Sequence, residues 1–156
     1  MPGIDFINAA YLIDDDLKLA FIEKTYTSPP DLSVPVYKFR MESSFSGEEI
    51  GGINLRAGYT ENIILFRGNI GFTVLEKFRG KHFSARSCIL LKPIIKNLDL
   101  PTIWLTCNLD NNASRKNLEY IGATYVETIK IPENSPYLEF YPPEARIKMR
   151  FKWQIS

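Results

Sequence analysis

Hydrophobic and polar residues follow two different periods in the first half of the chain. After Asp16, hydrophobic residues recur at helical spacing and the aspartate can cap a helix start, so a helix is predicted to about Tyr26, before two prolines. From Val36 onward the two kinds of residue alternate, which predicts a strand, and Ser46-Gly47 supplies the turn of a hairpin. The predicted elements are a helix over 16–26 and strands over 36–43, 50–55 and 69–75.

Helical and strand patterns alternate in the second half of the chain. A helix is predicted over 83–97, and Pro93 must kink or shorten it because proline lacks a backbone donor. The remaining predicted elements are strands over 102–107, 124–131 and 146–155, a helix over 113–120 ended by Gly122, and a loop over 132–143 with strand character at 138–141. Strands before, between and after helices indicate an α/β (α+β) fold, a mixed sheet with helices packed on it in one domain over 1–156.

Composition and charge then narrow the class of function. The 156 residues are 45% hydrophobic, which is enough for one buried core. A formal net charge of +1 lacks the basic excess of non-specific nucleic-acid binders, so we expect a small polar ligand and no nucleic acid. Apolar runs are far shorter than the roughly 20 residues that cross a bilayer, and the acidic start does not resemble a signal peptide, so we expect no membrane association.

The two cysteines, Cys88 and Cys107, have neither the CxxC spacing of zinc or redox sites nor the density of a disulfide framework. Reduced thiols in a cytoplasmic protein fit this usage best. No cluster of ligand residues suggests a metal site.

The residues between the strand at 69–75 and the following helix have the composition of an anion site. Unpaired N–H groups at a helix start carry partial positive charge, and the segment Arg79-Gly80-Lys81-His82-Phe83-Ser84 adds two basic side chains and a glycine for close backbone approach. A diphosphate group is the ligand that we expect such a site to bind. Taken alone, the loop is equally well explained as a solvated surface loop.

A second motif makes the pattern specific. Residues 79–84 resemble the pyrophosphate loop of the GNAT acetyltransferases, with His82 where the family usually has glycine and Ser84 where it has glycine or alanine. The run from Asn111 through Ser114 to Gly122 resembles the family segment Asn-x-x-Ser, a short helix and glycine. Capping of a helix start alone would explain Asn111 and Ser114, but not the shared order and spacing of every element. The resemblance implies the GNAT fold, a central mixed, mostly antiparallel sheet flanked by helices.

By this resemblance the chain is an N-acetyltransferase that uses acetyl-CoA as cosubstrate and a primary amine, on a small molecule or a protein N-terminus, as acceptor. Many family members have a tyrosine acid where this chain has Leu118, a departure that matches the subgroup resembling ribosomal-protein alanine acetyltransferases and leaves Ser114 as the proton donor. The implied cosubstrate-binding residues are Phe72, Thr73, Val74, Arg79, Gly80, Lys81, His82, Phe83, Ser84, Asn111 and Ser114.

The general base is less well marked. Glu42 and Glu76 are the carboxylates that chain order places best, although a solvated surface glutamate is the commoner situation for each. His82, the only histidine, belongs to the phosphate loop, and Cys107 reads as a core thiol. In the late loop Tyr137, Phe140 and Tyr141 could wall an acceptor pocket or simply pack.

Two other functions stay open from the sequence. A GNAT-fold module could bind CoA or its esters without turnover, and the loop could serve a nucleotide- or phosphopeptide-binding domain. A homodimer is also possible, with the strand at 146–155 at its interface. The identity of the amine is not legible in the sequence.

Overall fold

The computed structural model describes residues 12–155, which form two antiparallel sheets and three α-helices. The strands are β1 (Ile13–Asp14), β2 (Leu17–Tyr26), β3 (Pro35–Ser43), β4 (Glu49–Arg56), β5 (Ile70–Val74), β6 (Thr102–Asn108), β7 (Thr124–Lys130) and β8 (Ile147–Gln154). The helices are α1 (Phe83–Leu90), α2 (Lys92–Asn97) and α3 (Asn112–Tyr120). Within this part of the chain, no helix is long and apolar enough to cross a membrane.

The first sheet has the order β1-β2-β3-β4-β5 and corrects one prediction. Residues 17–26 form the strand β2, not a helix, and pair with β3 from Leu17 opposite Ser43 to Tyr26 opposite Pro35. Leu17 and Leu19 alternate into the core, a strand pattern that the helical spacing had masked. Pairing with a neighbouring strand along its whole length outweighs the weak local preference for helix.

The second sheet has the order β6-β8-β7, and its strands agree with the predicted ones. The predicted helix over 83–97 is two helices that meet at Leu91, with Pro93 in the first turn of α2, where a missing backbone donor costs nothing. The strand character predicted at 138–141 is wrong, because Leu138–Phe140 is a short 3₁₀ turn.

One cluster of buried side chains joins both sheets to the helices. Phe39 and Met41 of the first sheet pack in the same cluster as Phe151 and Trp153 of the second, together with Leu91 between the two helices. These side chains are almost fully buried, so the cluster removes a large apolar area from water and is the main stabilising contribution to the fold.

Beside this shared core, the buried side chain of Asn69 links the two sheets by hydrogen bonds. Asn69, which is fully buried, precedes β5; its Nδ2 donates to the carbonyls of Arg56 and Gly58, and its Oδ1 accepts from the N–H of Trp104 in β6. The Asn69 N–H also donates to the Trp104 carbonyl. Beyond this junction β5 and β6 are edge strands of separate sheets, so their facing edges are left open toward each other.

Candidate functional site

A cavity of about 330 Å³ opens beside the free edge of β5. Its walls come from β5, the loop after it, the start of α1 and the start of α3. Ten of the eleven predicted cosubstrate-binding residues line it: Phe72, Thr73, Val74, Arg79, Gly80, His82, Phe83, Ser84, Asn111 and Ser114. The exception, Lys81, is exposed and does not belong to the lining.

At residue 82, where the GNAT family usually has glycine, the loop has a backbone conformation that glycine adopts most easily. His82 has φ +61° and ψ +24°, in the left-handed region where glycine is the usual residue, and Gly80 has φ +85°. A side chain in this region costs about 1 kcal/mol or more. The His82 ring stacks on Tyr120 of α3 with 4.3 Å between ring centroids, a contact that offsets part of this cost.

The start of α1 presents free donors to the first cavity. His82 at the cap position makes no side-chain capping bond, and the N–H groups of Phe83, Ser84 and Ala85 have no acceptor within the described part of the chain. The Arg79 Nε donates to the carbonyl of Val74, which holds the guanidinium across the end of β5. Unpaired helix donors beside a basic side chain fit a diphosphate group.

Asn111 has the capping role that its sequence position indicated. Its side chain accepts from the Ser114 N–H at 3.0 Å and so begins α3. This cap places the half-buried Ser114 in the first turn of the helix, facing the end of β5.

A second cavity of about 220 Å³ adjoins the first. The two share three lining residues, Phe72, Asn111 and Ser114. The other lining residues come from β4, β5, β6, β8, the single helical turn Ile63–Arg67 and the segment between β7 and β8: Arg56, Phe66, Arg67, Ile70, Gly71, Thr106, Cys107, Asn108, Tyr141 and Lys148. Molecules bound in the two cavities would therefore be adjacent to each other beside Ser114.

The second cavity is electropositive. Burial, together with the charge of Arg67, lowers the pKa of Arg56 to about 10, and burial also lowers the pKa of Lys148. Burial raises the pKa of Tyr141 to about 12 and raises the pKa of the Cys107 thiol, so both stay protonated at neutral pH. Sequence reasoning missed Arg56, Arg67 and Lys148 as a group because they stand far apart in the sequence and no motif links them.

Neither predicted base belongs to the lining of a cavity. Glu42 on β3 pairs with Arg40 at 3.1 Å and with Lys18 at 3.9 Å, and Glu76 is exposed in a 3₁₀ turn after β5. Their assignment as bases stays a prediction that the geometry does not favour. No aspartate or glutamate lines either cavity, and residues 12–155 hold no cluster of three potential metal ligands.

The late aromatic residues divide into two groups. Tyr141 lines the second cavity and donates from its hydroxyl to Asn62 at 2.7 Å. Tyr137 packs against Phe66 with 6.0 Å between ring centroids, and Phe140 is largely exposed. Neither of these two belongs to the lining of a cavity.

Solved structures with the same architecture are acetyltransferases. The ribosomal-protein-S5-alanine acetyltransferase from Vibrio fischeri superposes with a TM-score of 0.59 at 14% identity, over 78% of this chain and 62% of that one. The Salmonella typhimurium enzyme that modifies the N-terminal serine of ribosomal protein L7/L12 gives 0.59 at 17%, over 78% and 64%. A ribosomal L7/L12 alpha-N-protein acetyltransferase in complex with coenzyme A gives 0.55 at 18%, over 77% and 62%.

This chain spans less than two thirds of the length of each of these three proteins. No protein-family model matches the sequence, and no curated protein matches it. At such low identity the likeness concerns the fold, which agrees with the fold expected from the two motifs. The chain therefore has the fold of the GNAT acetyltransferases.

Proposed function

We propose that this protein is an acetyl-CoA-dependent N-acetyltransferase. The observation that carries the proposal is the junction of the two cavities at Phe72, Asn111 and Ser114, between the open edges of β5 and β6. One cavity has the donors for a diphosphate, and the other has room for a small acceptor group. Such a pair of sites is what transfer between a bound donor and a bound acceptor requires.

In this proposal the first cavity binds the cosubstrate through the backbone. The N–H groups of Phe83, Ser84 and Ala85 hold the pyrophosphate, with Arg79 beside them. The free edge of β5 pairs with the pantetheine arm as an added strand would, and a β5 N–H polarises the thioester carbonyl. The bound cosubstrate supplies an acetyl group on a thiolate leaving group.

Ser114 is the group that we assign to the leaving sulfur. The acceptor nitrogen forms a bond to the acetyl carbon and releases one of its two remaining protons to water, and the carbon–sulfur bond breaks. The Ser114 hydroxyl donates a proton to the leaving sulfur and regains one from the same water, so that the products are the amide and the CoA thiol. A weak acid suffices for a thiolate, which leaves readily. The position of Ser114 on the wall of both cavities supports this role.

Deprotonation of the acceptor ammonium is assigned to water. Among the described residues the second cavity has neither a carboxylate nor a histidine in its lining, and its Tyr141 and Cys107 keep their protons, so no side chain there is suited to accept the proton at neutral pH. Arg56 and Lys148 make the second cavity positive; because the acceptor binds there in this proposal, we call it the acceptor cavity. Its positive charge disfavours an ammonium ion and so lowers the pKa of a bound amine. The neutral amine is the form that attacks.

The cosubstrate site is tested by calorimetry with acetyl-CoA, CoA and ATP. Ala113→Glu places a carboxylate in the lining of the first cavity, whereas Asn112→Glu adds the same charge one residue earlier on α3, outside the lining. We expect Ala113→Glu to weaken acetyl-CoA binding by about 10-fold or more and Asn112→Glu to change it less than about threefold. Equal effects of the two variants, or no acetyl-CoA binding by the folded protein, would contradict the proposal.

The lack of a carboxylate in the cavities also suits a second candidate, a module that binds acyl-CoA without turnover. Release of CoA thiol in the presence of a panel of amines separates the two functions. If acetyl-CoA binds and no amine accelerates thiol release, the binding module is the better description. Competition by ATP on equal terms with CoA would instead indicate a general nucleotide site.

We further propose that the protein is a single-domain cytoplasmic enzyme. Support comes from the one shared core and from Cys88 and Cys107, which are both buried free thiols. The homodimer remains a prediction, which sedimentation of the purified protein tests.

A further inference from the structure

The acceptor cavity gathers three cationic side chains, Arg56, Arg67 and Lys148, and no carboxylate in its lining. Charged groups are rarely buried unless they are paired, because removing a charge from water is costly. Lys148 is buried and Arg56 is half-buried, whereas Arg67 is exposed, so the partners of the first two within the described residues indicate what the cavity is suited to bind.

Lys148 is almost fully buried, with 8% of its surface exposed. Its position on β8 faces Asn108 of β6 in the strand register, and its Nζ donates to the Asn108 Oδ1 at 2.9 Å. The ammonium also lies 5.0 Å from the centroid of the Tyr141 ring. No carboxylate lies within 4.0 Å of it among residues 12–155, so at least one N–H of the ammonium is left for another acceptor.

Arg56 extends from the end of β4 across Gly71 of β5. Its Nη1 donates to the Gly68 carbonyl at 3.0 Å, and its Nη2 lies 2.8 Å from the position that the Cβ of a larger residue at position 71 would occupy. Gly71 is thus the position that leaves room for this guanidinium. No carboxylate within the described residues lies within 4.0 Å of Arg56 either.

Among residues 12–155, Asp31 is the one carboxylate within 4.0 Å of any of these cations, and it already accepts hydrogen bonds from other side chains. It is fully buried, accepts hydrogen bonds from the side chains of Thr60 and Asn62, and lies 3.9 Å from Nη1 of Arg67. It does not line the cavity. One carboxylate behind three cations leaves the cavity with an excess of positive charge.

We propose that the acceptor cavity binds a carboxylate carried by the acceptor molecule itself, between Lys148, Arg56 and Arg67. This inference rests on the proposed acetyl-transfer function and narrows its acceptor to amines that bear an anionic group. A carboxylate accepts hydrogen bonds from ammonium and guanidinium groups together, and such charge-assisted bonds are stronger than neutral ones.

The size of the cavity limits how far the carboxylate lies from the amine. A volume of about 220 Å³ is below the usual range of ligand pockets and holds the reacting end of an acceptor only. The carboxylate can therefore be the α-carboxylate of a free amino acid or the side chain of an acidic residue next to a peptide N-terminus. Both sources present the same group to the same cations.

The test compares matched acceptors by thiol release from acetyl-CoA. The first pair of probes is each of several free L-amino acids against its amide, and the second is the dipeptide amide Ala-Asp against Ala-Asn. We expect the anionic member of one pair to have a kcat/KM about 10- to 100-fold higher than its neutral partner. Preference within the first pair indicates a free amino acid, and preference within the second indicates an acidic peptide.

Three variants assign the preference to the cavity. Lys148→Met and Arg67→Gln each remove one charge, and we expect each to reduce the anionic preference by about 10-fold, mainly through KM. Lys152→Met removes the same charge as Lys148→Met from the same strand, outside the cavity, and we expect it to leave the preference unchanged. Calorimetry with acetyl-CoA checks that every variant keeps its cosubstrate site.

The possible outcomes separate this inference from the function on which it rests. Absence of acetyl-CoA binding by the unmodified protein would overturn the proposed function. Acetyl-CoA binding with neutral acceptors used as well as anionic ones, or with neutral acceptors used and the carboxylate probes not, would overturn the inference alone. An anionic preference that survives both Lys148→Met and Arg67→Gln would also contradict it.

Discussion

Removing the side chain of Asn69 tests whether this residue holds the two sheets together. In the Asn69→Ala variant the carbonyls of Arg56 and Gly58 lose a donor, and the N–H of Trp104 loses an acceptor. All three bonds are between 2.8 and 3.0 Å long, and Asn69 is fully buried, so water does not compete for them in the native state.

The magnitude follows from the number of backbone groups left without partners. Each unsatisfied buried group costs about 1–3 kcal/mol, and water entering the vacated space can satisfy some of them. We therefore expect the free energy of unfolding to fall by about 3–5 kcal/mol, out of the roughly 5–15 kcal/mol typical of a folded domain. For a chain of this size, this corresponds to a fall in Tm of roughly 6–20 °C.

Urea denaturation measures the change, with the fluorescence of Trp104 and Trp153 as the signal and linear extrapolation to water. Asn112→Ala is the matched control, because Asn112 is exposed and its loss should cost no more than about 0.5 kcal/mol. Amide exchange at Trp104 supplies a local readout, and we expect it to accelerate in Asn69→Ala. A loss of stability below about 1 kcal/mol, or unchanged exchange at Trp104, would refute the role assigned to Asn69.

Four further predictions concern the site. His82→Asn should keep acetyl-CoA binding, because asparagine tolerates the left-handed region, whereas His82→Val should lose about 1–2 kcal/mol of stability in urea denaturation and bind acetyl-CoA more weakly in calorimetry. Burial raises the pKa of Cys88 to about 12 and also raises that of Cys107, so at pH 7.5 both are thiols, and mass spectrometry should find iodoacetamide labelling only after unfolding. Ser114→Ala should lower kcat by about 10-fold or more with an unchanged calorimetric affinity for acetyl-CoA; an equal fall in both would point to a binding role. Because no carboxylate lines the cavities, kcat/KM should rise with pH until the acceptor amine is neutral, and an additional limb near the pKa of a carboxyl group would instead indicate an enzymic base such as Glu42 or Glu76.

Most elements after residue 35 could be predicted from the sequence because their patterns are local. The hairpin of β3 and β4 alternates and has a turn at Gly47, and α3 begins at a capping asparagine. Each of these signals acts over a few residues, so the rest of the chain does not need to be known. The same holds for the loop over 79–84, whose glycine and basic residues lie within six positions.

The prediction for residues 17–26 was wrong because tertiary pairing decides that segment. Leu17, Leu19 and Phe21 alternate as a strand, but the spacing of Leu17, Ala20 and Phe21 also suits a helix. Periodicity alone does not choose between these two structures for a short segment. The choice is made by β3, whose nine residues bond along β2.

The sequence by itself determined the order of elements in most of the chain, the loop suited to a diphosphate and the cap that presents Ser114, because these depend on neighbouring residues. Only the tertiary structure decided that β5 and β6 leave open edges, that neither Glu42 nor Glu76 lines a cavity, and that Arg56, Arg67 and Lys148 share one. These features depend on strand register and on the junction at Asn69, which bring together residues far apart in the chain. No local sequence pattern predicts that these residues are close together in the fold, because each of the three cations on its own resembles an ordinary solvated side chain.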